Sequence, residues 1–201
     1  MLPWQLAQGV YLESSGILLP WGTTFEQLAA LGSPEVRETE TCSRVSWGTQ
    51  TILGGLSGDL CGFEHEGTGA NASSRKLRAL SLGFPAIPGG PHLAQNHLRV
   101  LHDHFVATLG PADYSYPCYF LKLPVIFWSR APVTLAIGPK FGSHPCRLDV
   151  TIEHQADAWY ADRPERPATG HPRKDARVEY VAWHEPYDHW PAKPGKHRKS
   201  V

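Results

Sequence analysis

The chain has 201 residues, 41% of them hydrophobic and 19% charged, and its 19 Lys and Arg balance 19 Asp and Glu to a formal net charge of zero. That composition belongs to a folded globular protein rather than a disordered or fibrous one, and the length suits one large domain or two small ones. The cancelled charge removes any global drive toward nucleic acid or an anionic membrane, so neither is expected as a partner.

At the N-terminus, MLPWQLAQGVYLESSG carries no basic residue ahead of a hydrophobic segment. No later stretch approaches the roughly 20 apolar residues of a membrane span, and a cytoplasmic address is expected. In GTTFEQLAALGSPEV (22–36), Phe25, Leu28 and Ala29 recur at helical spacing. Thr23 with Glu26, or alternatively Thr24 with Gln27, supplies a capping box, while Gly32 and Pro34 end the helix, which is placed at about 23–31. Strand-like RVSWGTQTIL follows, then GGLSGDLCG, read as a glycine-rich turn or bulge, then RKLRALSLGF.

PAIPGGP (85–91) reads as a linker. Beyond it Leu98, Leu101, Phe105 and Leu109 step by 3, 4 and 4 along one helical face, and Gly110-Pro111 closes that helix. Strand-like CYFLKLPVIFW, APVTLAIG and CRLDVTIEH come next. In the last of these, Leu148, Val150 and Ile152 alternate with polar residues, the pattern of a sheet with one wet face. Residues 157–201 are dense in proline and charge yet rich in aromatic residues, and RVEYVAW (177–183) reads as a docked strand.

The two halves share a phrase. Gly22, Thr23, Thr24, Glu26, Leu31, Gly32 and Pro34 in the first, with Leu109, Gly110 and Pro111 in the second, resemble the tandem-repeat fold of the beta-lactamase inhibitory protein family and, more distantly, the SmpA/OmlA domain. The resemblance spans residues 16–156 in architecture, although the second half lacks the G-T-T opening. It implies an α+β protein of two tandem helix-plus-antiparallel-sheet repeats packed together, residues 1–88 and 89–156, with a C-terminal extension at 157–201. It also implies a protein that binds another protein.

Cys42, Cys61, Cys118 and Cys146 show no metal-type spacing and are expected to be reduced, mostly buried thiols. On a helix, His102 and His104 point apart, and His97 lies about 10 Å along the axis from His104, so that cluster does not pinch one ion. His184, Glu185, Asp188 and His189 are ligand-type residues in WHEPYDHW, but the spacing of five and Pro186 depart from the H-E-x-x-H helix. GLSGD lacks the last glycine of a nucleophile elbow.

No cofactor is therefore expected, and no catalytic role is assigned. The expected function is a non-catalytic module that masks a partner protein, as an immunity or inhibitor protein neutralising a bacterial toxin. Trp47, Tyr114, Tyr116, Tyr119, Trp128, Trp183, Tyr187 and Trp190 are its candidate contact residues, because large aromatic side chains anchor interfaces. The alternative is a metal-dependent hydrolase built on residues 184–189.

Overall fold

A computed structural model describes residues 3–38, 43–63, 76–88, 91–118, 123–140 and 147–154. A 3-10 turn at Pro3–Gln5 leads into a hairpin of β1 (Gly9–Leu12) and β2 (Ile17–Pro20). The short helix α1 (Phe25–Leu28) is followed by β3 (Glu35–Glu38), β4 (Ser43–Ile52), β5 (Leu56–Phe63) and β6 (Ala79–Gly83). The long helix α2 (Pro91–Leu109) is followed by β7 (Tyr114–Cys118), β8 (Leu123–Arg130), β9 (Val133–Pro139) and β10 (Leu148–His154).

Strands β3 to β10 form one antiparallel sheet in the order β3-β4-β5-β6-β10-β9-β8-β7. This corrects the expected α+β arrangement of two packed helix-plus-sheet repeats. Hydrogen bonding runs without a break across β6 and β10, where Leu80 pairs with Ile152 and Leu82 with Val150. The described chain is mostly antiparallel sheet, and its helices are unequal, four residues against nineteen.

The corrections have local causes. GGLSGDLCG is not a turn: Gly54 and Gly55 make the tight connection, and the rest is strand β5, whose glycines are tolerated because both neighbouring strands are paired to it. The N-terminal hairpin shows no polar–apolar alternation in sequence because Tyr11, which faces out between the buried Val10 and Leu12, is itself a large apolar side chain. The first helix takes the Thr24 register: its hydroxyl accepts from Gln27 N at 3.3 Å, and the Gln27 amide oxygen accepts from Thr24 N at 3.1 Å.

One face of the sheet carries the core. Alternation puts Leu80, Leu82, Val150, Ile152, Leu135, Ile137, Ile126 and Trp128 on it, and α2 lays Ala94, Leu98, Leu101 and Phe105 against them. Phe105 and Trp128 meet with ring centroids 5.5 Å apart. At the β4 end, Phe25, Leu28, Val10 and Leu12 continue the same cluster around Trp47. A bulge between Ser46 and Gly48 makes room for Trp47, with Gly48 at φ 65°, a conformation costly for any residue with a Cβ.

Candidate functional site

Of the aromatic residues expected to contact a partner, Trp128 is fully buried and Trp47 nearly so. Each fastens the chain just beyond a helix to the sheet: Trp47 Nε1 donates to Leu31 O at 2.7 Å, and Trp128 Nε1 to Gly110 O at 2.9 Å. Their side chains are structural, and the contact role expected for them is corrected. Arg130 reinforces the second joint, its guanidinium donating to Leu109 O at 3.1 Å and Pro111 O at 3.0 Å and pairing with Asp113. These carbonyls at the end of α2 have no intrahelical donor, so the cation meets both their lone pairs and the negative end of the helix dipole.

Tyr114 and Tyr116 lie on β7, the sheet's outermost strand, paired with Phe127 and Val125. Tyr119, Trp183, Tyr187 and Trp190, together with His184, Glu185, Asp188 and His189, lie outside the described residues. Among the described residues no three His, Cys, Asp or Glu side chains are grouped to hold a metal. The histidines of α2 serve other ends. His104 Nε2 bonds Leu53 O at 2.7 Å, whereas His102 Nδ1 meets Asp103 Oδ1 at 3.2 Å and its ring lies near Trp128. Cys61 is free and buried.

A different surface emerges around α2. Leu93 and Val100 stand 45% and 70% exposed, seven residues apart and hence one above the other on the same helical face. Asn96, His97, Asp103 and Ala107 flank them, all exposed. One turn beyond Val100, the Trp4 indole lies flat on the His104 ring, 5.8 Å between centroids and 6° between planes. Trp4 in turn lines a depression of about 80 Å³ shared with Gln5, Leu6, Val10, Tyr11, Glu13 and Leu53. Tyr11 there is 40% exposed. Three of the four large hydrophobic side chains exposed among the described residues therefore border one strip.

That strip sits on a firm base. Both oxygens of the Glu13 carboxylate are held by backbone amides, Gly54 N at 2.6 Å and Gly55 N at 2.9 Å, which pins the β4–β5 turn beside Leu53. The depression is well below the roughly 300 Å³ of a small-molecule pocket, so the strip suits a side chain of a macromolecule better than a metabolite. Leu93 and Val100 fall outside the Leu98, Leu101, Phe105 phase, and nothing local in the sequence marks Trp4 as lying on a helix a hundred residues away.

Two titrating groups belong to the sheet. Asp149 has its carboxyl raised above the usual range, chiefly by burial, against the opposing pull of Lys140 and a hydrogen bond from Ser81 Oγ at 3.3 Å. His154 is lowered by burial and then by the Arg78 charge, and it stacks on Trp21 at 5.5 Å. Asp149 is thus only partly exposed on the face that strand alternation predicts to be wet.

Set beside protein-family models, curated proteins and solved structures, the chain matches none. Among the described residues, no helix is long and apolar enough to cross a membrane.

Proposed function

We propose that this chain is a non-catalytic binding protein that masks a partner protein, acting in the cytoplasm as an immunity or inhibitor protein against a bacterial toxin. The supporting observation is the strip of Leu93, Val100, Trp4 and Tyr11, apolar anchors with polar flanks on a braced helix. Anchors at i and i+7 on a helix are the layout by which a helical face enters a groove on another protein. The mechanism is occlusion: the helix face fills the partner's cleft, excludes substrate, and makes or breaks no bond.

The test uses the product of the neighbouring open reading frame, expressed with and without this protein. Toxicity in its absence, relief by the wild type, and loss of relief with Val100→Glu are the expected results. A harmless neighbour, or equal protection by Val100→Glu at equal protein level, overturns the reading.

A further inference from the structure

The depression beside Trp4 gathers backbone strain, aromatic rings and a carboxylate into one small space. Four non-glycine residues among those described have positive φ, and three of them line it: Trp4 at 54°, Gln5 at 57° and Leu53 at 56°. The left-handed region is costly for a residue with a Cβ, and such strain persists where the surrounding structure enforces a particular placement of side chains. Trp4 is fixed by its stack on His104 and by an edge contact with Phe105, ring centroids 6.0 Å apart. Its Nε1 lies 2.9 Å from the place a Cβ on Gly54 would take, and the amide of the same Gly54 holds Glu13 Oε1. Gly54 thus brings the indole and the carboxylate together. Tyr11 lines the same space and is 40% exposed.

We propose that this depression receives an arginine side chain of the partner protein, its guanidinium meeting Glu13 and lying against the rings of Trp4 and Tyr11. Glu13 is exposed, and among the described residues no Lys or Arg pairs with it and none lines the depression. Its negative charge is therefore held by neutral amides and lacks a cation. A carboxylate offers about four acceptor positions, and Gly54 N and Gly55 N take one on each oxygen. One position on each oxygen remains, a pair that a guanidinium fork occupies with two parallel N–H bonds and an ammonium does not. The aromatic lining favours the same group: ring faces attract a cation, and the planar, weakly hydrated guanidinium lies on them at less desolvation cost than an ammonium. Gln5, also exposed in the lining, offers an amide oxygen as a further acceptor. A space of about 80 Å³ suits the end of one side chain. That the arginine belongs to a protein rests on the masking function; the affinity of the depression for a guanidinium does not.

The test titrates N-acetyl-arginine methylamide into the isotopically labelled full-length chain, with the citrulline and lysine analogues alongside. The Trp4 indole N–H resonance and the amide resonances of Gly54 and Gly55 should shift saturably with the arginine probe. Binding should be about tenfold weaker for citrulline, which keeps the shape and loses the charge, and weaker for lysine, which lacks the fork. Glu13→Gln should reduce arginine binding to the citrulline level, and Tyr11→Ala should weaken it several-fold, with native near-ultraviolet circular dichroism in both. Absence of a shift at these three resonances, equal binding of arginine and citrulline, or a lysine probe as tight as arginine overturns the proposal. Should Glu13→Gln lose its native spectrum, Tyr11→Ala and the three probes on the wild type decide. The masking function fails or survives separately. Loss of protection with Val100→Glu in a chain that binds no arginine probe sinks this proposal alone, whereas arginine binding in a chain that gives no protection supports the site and sinks the masking function alone.

Discussion

Trp128 shows how one side chain is used twice. Its ring fills the space between Phe105 and the sheet, and its Nε1 takes the carbonyl that ends α2. Trp128→Phe retains much of the ring but leaves Gly110 O without its donor, so denaturant unfolding should show a loss of about 1–2 kcal/mol. Trp128→Ala also empties the core site and should lose about 3–5 kcal/mol. Asp149 carries the opposite kind of consequence. Its folded-state pKa is raised, so its contribution favours the native state below the ordinary carboxylate range and is lost as pH rises through the folded value. Asp149→Asn should therefore be at least as stable as the wild type at neutral pH, with the difference shrinking in acid. Unfolding midpoints at pH 4 and pH 7 check this, and a variant less stable at pH 7 than at pH 4 relative to wild type would contradict it.

At the scale of elements, α2 has one face buried in the core and one exposed. Phe105 is fully buried, and Phe105→Ala should cost about 3–5 kcal/mol by denaturation. Val100 is 70% exposed, so Val100→Glu should shift stability by no more than about 0.5 kcal/mol while removing an anchor of the proposed docking strip. That contrast separates a binding defect from a folding defect. The inner face of α2 was legible in the sequence because Leu98, Leu101 and Phe105 keep helical phase, and β10 was legible because Leu148, Val150 and Ile152 alternate. The outer strip was not, because two side chains seven apart make no periodic pattern. The β5 strand was hidden by Gly58 and Gly62, which look like turn residues until their paired neighbours are known: a Cβ at Gly62 would approach Leu77 to 2.9 Å. For Trp47 and Trp128, aromatic identity was visible and burial was not, since an anchor for a partner and an anchor for a helix end use the same residue type.

Across the whole molecule, the decisive feature is the seam between β6 and β10. Two helix-bearing halves are adjacent in sequence, and their similar phrases suggested two units meeting through apolar faces. Nothing in either phrase states that the last strand of each will hydrogen-bond to the other. Five registered pairs, Ala79 with Glu153 through Gly83 with Asp149, join the halves into one sheet with one core behind α2. That shared frame holds Leu93, Val100, Trp4 and Tyr11 in fixed relation, which is what a masking surface requires. Native-state hydrogen exchange across β6 and β10 tests this most directly. If the seam belongs to a single cooperative frame, the protected amides of both strands exchange with the same free energy, equal to that of global unfolding. If the strands of one half open at distinctly lower denaturant than those of the other, the halves are separate units and the account fails.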